Sequence, residues 1–314
     1  MGSEQLDFSD CELTTAKKQT KREKFLAEME AVVPYEALIA LIEPRYPKTN
    51  KKGGRPPYPL ATMLRFYFYM LQQWHSLSAP AMEEALIKVF TMRRFAGIEL
   101  ISVRIPDYTT ILTFSQLLEK HKLGKQIFET RKACLSKRGM TMRQGTIVDA
   151  TLIAAPSSTN NREGKRDPAM HHPKKGNQWY FGMKVHGGVD KDSGLIHSVD
   201  VTDANMHDLL PAAELLHGEE VIYCEAGYQG IAKRPEMAGK DNTFVLAIRP
   251  GKRRALADTP EGRLQDRIET AKAHIRSQKG EHPFPVIKPQ FGFQKTKLRG
   301  LAKNRYKINL LAEL

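Results

Sequence analysis

The chain is poor in cysteine: Cys11, Cys134 and Cys224 lie far apart and form no CxxC pair. That spacing excludes a disulfide framework and argues against a thiolate zinc site, leaving reduced thiols as the reading. Long apolar runs are missing too. The most apolar stretch, Phe66 to Leu71, is far too short to span a bilayer, and the first residues lack the apolar core of a secretion signal. A cytoplasmic protein with no membrane partner is therefore expected. Internal repeats and low-complexity tracts are absent as well. Acid is in short supply, with 35 Asp and Glu against 49 Lys and Arg, a net charge of +14. This imbalance favours an anionic polymer, nucleic acid before membrane surface, with a merely solvated basic surface as the alternative. What is present, 41% apolar and 27% charged residues, excludes a disordered chain.

The texture along the chain divides it. Residues 1–15 read as a disordered polar start. Lys17 to Val33 has the pattern of an amphipathic helix with a basic first half. Arg45 to Pro59 is dense in prolines, glycines and bases, which makes it a loop, either an arm for phosphates or a solvated connector. Leu60 to Trp74 reads as a buried helix, Ser78 as the cap of the next one, and Asp107 or Thr109 as the cap of a further one. Residues 16–138 are thus expected to be helical, compatible with a helix-turn-helix or an ordinary bundle. From 139 to 314 strands appear. Thr146 to Ile153 is β-rich, and 179–202 reads as two strands joined by a turn at Asp190–Gly194. A helix is expected from Asp208 to Leu216, strands at 219–225 and 243–250, and a charged helix over 260–279. Strands followed by alternating strands and helices indicate an α/β layer fold.

Three acids stand out by position. Asp149 lies alone among apolar residues in IVDATLI, where a carboxylate is costly unless it is paired or binds metal. Its other reading is a strand-end cap. Glu225 closes VIYCEAGYQG before a glycine turn, and Glu281 sits in GEHPFPVIK. Carboxylates at strand ends backed by one on a helix are what rigid octahedral Mg2+ coordination requires. Two such ions can drive in-line transfer between phosphodiester oxygens.

The blocks QGTIVDATLIAAPSST, RDPAMHHPKKGNQWYFGMKVHGGVD, AGYQG, RPGKR and EHPFPVIKPQFGF with RGLAKN resemble those of insertion-sequence-5-type (InsH-like) bacterial transposases. So do KQTKREKFLAEME, LIEPRYPK, GRPPYPLATMLR, AMEEAL and TTILTFSQLLEKH in the first half. The match runs in order from about residue 15 to 304. The resemblance implies a ribonuclease-H-like mixed-sheet core in the 139–314 domain, preceded by an α-helical DNA-binding domain. It also implies a DDE carboxylate triad, Mg2+ (Mn2+ in its place), and metal-dependent cleavage and transfer of DNA strands. The implied partners are double-stranded DNA, as element inverted repeats and target, and a second copy of the chain on paired ends. The implied location is the cytoplasm of a bacterium, at the nucleoid. Carried across, the triad falls on Asp149, Glu225 and Glu281, with Lys288 as the basic residue that follows and meets DNA.

Four departures from the family pattern predict an impaired copy, and with it a second reading, a remnant that binds DNA without cutting it. Glu225 stands where the family has Asp, moving the oxygens by more than about 1 Å. Arg276 lies five residues before Glu281 rather than four, which turns Glu281 by about 100° unless a bulge at Gly280 absorbs it. Pro289 replaces a basic residue in an expected helix, at a cost of ~3 kcal/mol if interior. The tail RYKINLLAEL leaves the pattern and stops early.

From residue 271 to 314 there are ten Lys or Arg and two acids, so Lys288, Lys295, Lys297 and Arg299 are expected on the DNA backbone. Lys174, Lys175 and Lys184, near the acidic strands, are expected phosphate contacts. Trp179, Tyr180 and Phe181 read as core filling, with base stacking as the second reading. His171 and His172 read as incidental loop residues. Asp167, Asp190 and Asp208 read as turn or cap residues.

Overall fold

The computed structural model describes residues 19–49, 56–67, 77–98, 104–140, 145–218, 220–280 and 282–313. The polar start, the tip of the basic linker, the end of the Leu60–Trp74 helix and Glu281 lie outside them.

The first half is helical: Lys21–Val32, Tyr35–Ile42, Leu60–Tyr67, Ala79–Lys88, Phe90–Ala96, Tyr108–Lys120 and Leu123–Lys137. Local chemistry starts several of these. Thr20 and Glu23 form a reciprocal capping box before the first helix. The Ser78 hydroxyl accepts the Ala81 amide at 3.3 Å, and the Asp107 carboxylate accepts the Thr110 amide at 2.7 Å.

The second half holds a five-stranded sheet in the order β5-β4-β1-β6-β7. Its strands are β1 (Gly145–Ala154), β4 (Gly182–Asp190), β5 (Ile196–Asp203), β6 (Val221–Cys224) and β7 (Thr243–Leu246). A separate short ribbon pairs β2 (Lys174–Lys175) with β3 (Gln178–Trp179). β4 runs antiparallel to β1 and β5 antiparallel to β4, whereas β6 is parallel to β1 and β7 parallel to β6. Three antiparallel strands followed by two parallel ones, flanked by helices, form the ribonuclease-H-like arrangement. The chain reverses its direction of winding between β1 and β6, and the crevice at the carboxyl ends of such strands is where open α/β sheets place their sites.

Alternation along β1 assigns its two faces. Val148 packs with Ala212, Leu215, Ile222, Cys224 and Tyr228 on one side. Ile153, with Met183 and Val185 opposite, joins a larger apolar cluster that includes Phe284, Ile287 and Phe291 and continues into the N-terminal helices. Asp149 has the parity of Ile153 and therefore belongs to this second face.

The tail, read as a departure, is a helix (Leu301–Glu313) that buries Ile308, Leu310 and Leu311. It packs along the Leu123–Lys137 helix, where a side chain on Gly124 would come within 2.7 Å of the Tyr306 ring, and Arg131 donates to the Ala312 carbonyl at 2.9 Å. Whatever its sequence divergence, this segment is built into the core.

Candidate active site

β1 carries Asp149 near its middle, half-buried, with one oxygen accepting the Ala150 amide at 2.7 Å. β6 pairs with β1 up to Val148 opposite Cys224, so Glu225 follows beside Asp149 one position later, exposed at the strand end. Burial, then Asp208, Asp149, Cys224 and Glu225, push the Tyr228 phenol well above its ordinary range. One buried ring therefore feels Asp149, Glu225 and Asp208 together. Glu225 itself leads into a one-turn 3-10 segment, Ala226–Tyr228, followed by the left-handed Gly230 at φ 96°.

The segment expected to supply the third acid reaches the same face. The Pro260–Ile275 helix continues as a π-helical turn, Arg276–Gly280, and a second π-helical turn spans Val286–Gln290. A π turn takes up one residue more than an α turn. The extra residue between Arg276 and Glu281 is thus accommodated where the sequence allowed a bulge. A Cβ on Gly280 would lie 2.3 Å from Ile147 Cγ2, and one on Gly187 would lie 3.4 Å from the Phe284 ring. Ile147 precedes Asp149 by two positions on the same face, and Gly187 is its register partner on β4. Residues on both sides of position 281 therefore pack against the strands that flank Asp149. Pro289 sits in the second π turn, where Phe291 donates to the Val286 carbonyl at 2.8 Å. A widened turn there replaces the regular helix that the proline would have broken.

Arg276 was noted in the sequence only for its spacing, but its side chain belongs to this site. Its Nε and Nη1 are buried without a hydrogen-bond partner. Burial raises the Cys224 thiol to about 12, and the Arg276 guanidinium is the main charge pulling it back. A cation thus stands near the end of β6.

The expected basic residues divide into two sets. Backbone bonds bind the 294–296 segment beside the carboxyl end of β1: Ala154 donates to Gln294 at 3.1 Å, and Thr296 donates to Ala154 at 2.7 Å. Lys295, Lys297 and Arg299 are exposed along it. Arg299 reaches Glu163 at 2.7 Å, an exposed pair of the kind a phosphate can displace. Lys288 lines a cleft of about 390 Å³ together with Thr151, Ile153, Tyr180 and Gln294, directly beyond Asp149 on β1. Lys174 is exposed on the short ribbon, and the Lys175 side chain lies outside the described residues. Lys184 is different: its ammonium is turned inward, to Asp208 at 2.9 Å and the Met206 carbonyl at 2.7 Å. Trp179 overturns the core-filling reading. It stands on the ribbon before β4 rather than on β4 itself and is 64% exposed. Phe181 does pack against the apolar cluster.

Asp190 and Asp167 make turns as expected, Asp190 accepting the Ser193 amide at 2.7 Å and Asp167 the Ala169 amide at 3.0 Å. Asp208 makes no side-chain cap. Sequence reasoning passed over it because only the folded chain brings it to Lys184. The buried acid on the long helix, Glu269, is a structural residue: it accepts the Ile248 amide at 2.9 Å and pairs with Lys272 at 2.7 Å.

Behind Lys184, His186 is fully buried and held to Thr202 at 2.8 Å. Burial pulls its pKa down from 6.5 to about 4, against the opposing Asp208 charge. The unfolded chain takes up this proton below pH 6.5 and the folded chain only near pH 4. Stability should therefore fall as pH drops through that window, by at most about 3 kcal/mol, and be flat above it. Urea unfolding of the parent and His186→Gln at pH 7 and pH 4.5 measures the difference, which should shrink in the variant.

Among the described residues, no group of three or more His, Cys, Asp or Glu is placed to hold a metal ion. The adjacent carboxylates of Asp149 and Glu225 do suit a hard divalent cation in donor type, and Glu281, the expected third, lies outside the described residues.

Residues 140–312 match the family model described as Transposase DDE domain, and residues 14–117 match the one described as Transposase domain (DUF772). The chain belongs to the DDE transposase family. The pairing of these two domains is typical of transposases like those of insertion sequence 5. DDE transposase domains generally use divalent metal ions and act on DNA. No solved structure matches the chain. No helix among the described residues of this transposase is long and apolar enough to cross a membrane.

Proposed function

We propose that this transposase binds the terminal inverted repeats of an insertion sequence and carries out metal-dependent strand cleavage and transfer. Asp149, Glu225 and Glu281 are its metal-holding carboxylates. The observation that carries the reading is the register of β1 and β6, which sets Asp149 and Glu225 side by side at a strand switch point. The packing of Gly280 and Phe284 beside β1 and β4 supports Glu281 as the third member.

Each carboxylate offers hard oxygens suited to Mg2+, with Mn2+ as substitute. When bound, such ions activate an attacking oxygen and stabilise the leaving one. The protein's share is placement. The strand pair fixes two acids, and the glycine contact on Ile147 sets the depth of the segment carrying the third. Lys174, Lys175, Lys288, Lys295, Lys297 and Arg299 grip the phosphate backbone along the carboxyl edge of β1, and Trp179 is free to stack on a base there. A second copy of the chain on the paired end completes the assembly, with element ends and target DNA as substrates. Residues 16–138 form the DNA-binding domain and 139–314 the catalytic one.

One observation favours a second reading, a copy that binds without cutting: Glu225 occupies the position of an aspartate. Nicking of a duplex carrying the element end, with Mg2+ or Mn2+, tests the proposal. Because a misplacement of ~1 Å can cost ~100-fold in rate, Glu225→Asp is expected to raise cleavage by up to that factor. Parent and variant that bind the end equally and both fail to nick would establish the binding-only reading.

A further inference from the structure

Lys184 and Asp208 remain without a part in this scheme, yet they are joined to it. Lys184 projects from β4 on the Val148 face of the sheet and is largely buried, with 18% of its side chain exposed. Two of its three protons are spent inward, on Asp208 and on the carbonyl of Met206 in the loop leading to Asp208. The same Asp208 oxygen lies 4.0 Å from His186 Nδ1, a fully buried nitrogen with no hydrogen-bond partner. His186 Nε2 and the Thr202 hydroxyl share a hydrogen bond at 2.8 Å, which turns Nδ1 toward Asp208. The other Asp208 oxygen faces the turn that leaves Glu225, 3.8 Å from where a Cβ on Gly227 would be. The buried Tyr228 hydroxyl, also without a hydrogen-bond partner, feels Asp208, Asp149 and Glu225 together. A strut thus runs from β4, past β1, to the turn beyond β6.

We propose that Lys184 and Asp208 are positioning residues for the candidate acids: Lys184 holds the Asp208 carboxylate beside the Gly227 turn, and so steadies the turn that leaves Glu225. The inference rests on the metal-site reading above, and it replaces the phosphate-contact role expected for Lys184. An unpaired Asp208 would add a third negative charge near two acids already set on neighbouring strands. The ammonium of Lys184 neutralises it while leaving its carboxylate available to brace the turn. Residues that orient metal ligands in this way typically matter ~10- to 100-fold in metal affinity or activity.

The test titrates Mn2+ alone into the full-length protein, following free Mn2+ by electron paramagnetic resonance, for the parent, Asp149→Ala, Asp208→Ala, Asp208→Asn, Lys184→Met and the Asp208→Ala/Lys184→Met double variant. Thermal melting and duplex affinity are measured alongside. The expected result is Mn2+ affinity weakened ~10- to 100-fold by either single change, with the double variant no worse than the poorer single one. Duplex affinity should stay within about twofold of the parent. Asp208→Asn keeps the shape of the carboxylate and carries the test should Asp208→Ala fail to fold. If Lys184→Met weakens duplex binding while Mn2+ affinity holds, Lys184 is a phosphate contact and the proposal is overturned. It is equally overturned if Mn2+ affinity falls only in proportion to folded protein. A parent that binds Mn2+ no better than Asp149→Ala sinks the metal-site reading itself, whatever the strut variants do.

Discussion

Asp149→Ala is expected to lower strand cleavage at least about 1000-fold, because the charge stabilisation a bound divalent ion gives the transition state is worth several kcal/mol, and about 1.4 kcal/mol is a factor of ten. The side chain sits on the central strand of the sheet, half-buried between Val148 and Ala150, and accepts a hydrogen bond from the Ala150 amide. Truncating one half-buried carboxylate leaves no large cavity, so the fold and the affinity for an element end should be retained. A gel-based nicking assay with an end-bearing duplex, run beside a binding titration, separates the two effects. Cleavage by the variant at the parental rate would remove Asp149 from the site.

Gly280→Val should have the next largest effect. The first added carbon would lie 2.3 Å from Ile147 Cγ2, in a wall that is itself fully buried. Overpacking of this kind costs typically ~1 to 3 kcal/mol, and the segment that follows must move away from β1. A displacement of ~1 Å at the reacting groups costs ~100-fold in rate. Cleavage should therefore fall far more than stability. Ile147→Ala removes the methyl that clashes, so the double variant should recover part of the loss, a coupling that a simple folding defect would not show. Loss of stability and activity in strict proportion, with no recovery, would mean that the glycine serves packing alone.

Much of this arrangement was legible in the sequence, for identifiable reasons. Helix starts at Ser78 and Asp107 are set by local side-chain bonds, and each lies where the residue types placed it, whereas the first helix, read from Lys17, is capped by Thr20 and starts at Lys21. The acids at 149 and 225 could be put forward as candidates because a carboxylate among apolar strand residues is expensive, and because the blocks around them resemble a known family. The third acid's own placement could not be read, but the structural device near it was half visible: a surplus residue before Glu281 demanded a bulge, and the chain supplies a π turn at Arg276–Gly280.

What pattern could not supply was orientation. Lys184 looked like a surface base, yet its direction depends on a carboxylate two dozen residues later that only the sheet brings to it. Trp179 looked like core because it adjoins β4. The chain instead pairs it back on Lys174 in a ribbon outside the main sheet, which leaves the indole in solvent. The divergent tail illustrates the converse: its buried apolar residues Ile308, Leu311 and Ala312 keep helical spacing, and packing needs only that.

Convergence of the acids can be measured without reference to catalysis. Fe2+ bound in place of the physiological ion, with ascorbate and peroxide, cuts the polypeptide backbone next to the metal. In the folded parent the fragments should end within a few residues of positions 149 and 225 and inside 276–284, and all three sets should vanish together in Asp149→Ala. Cuts confined to one of these segments, or an unchanged pattern in that variant, would show that the carboxylates do not share an ion.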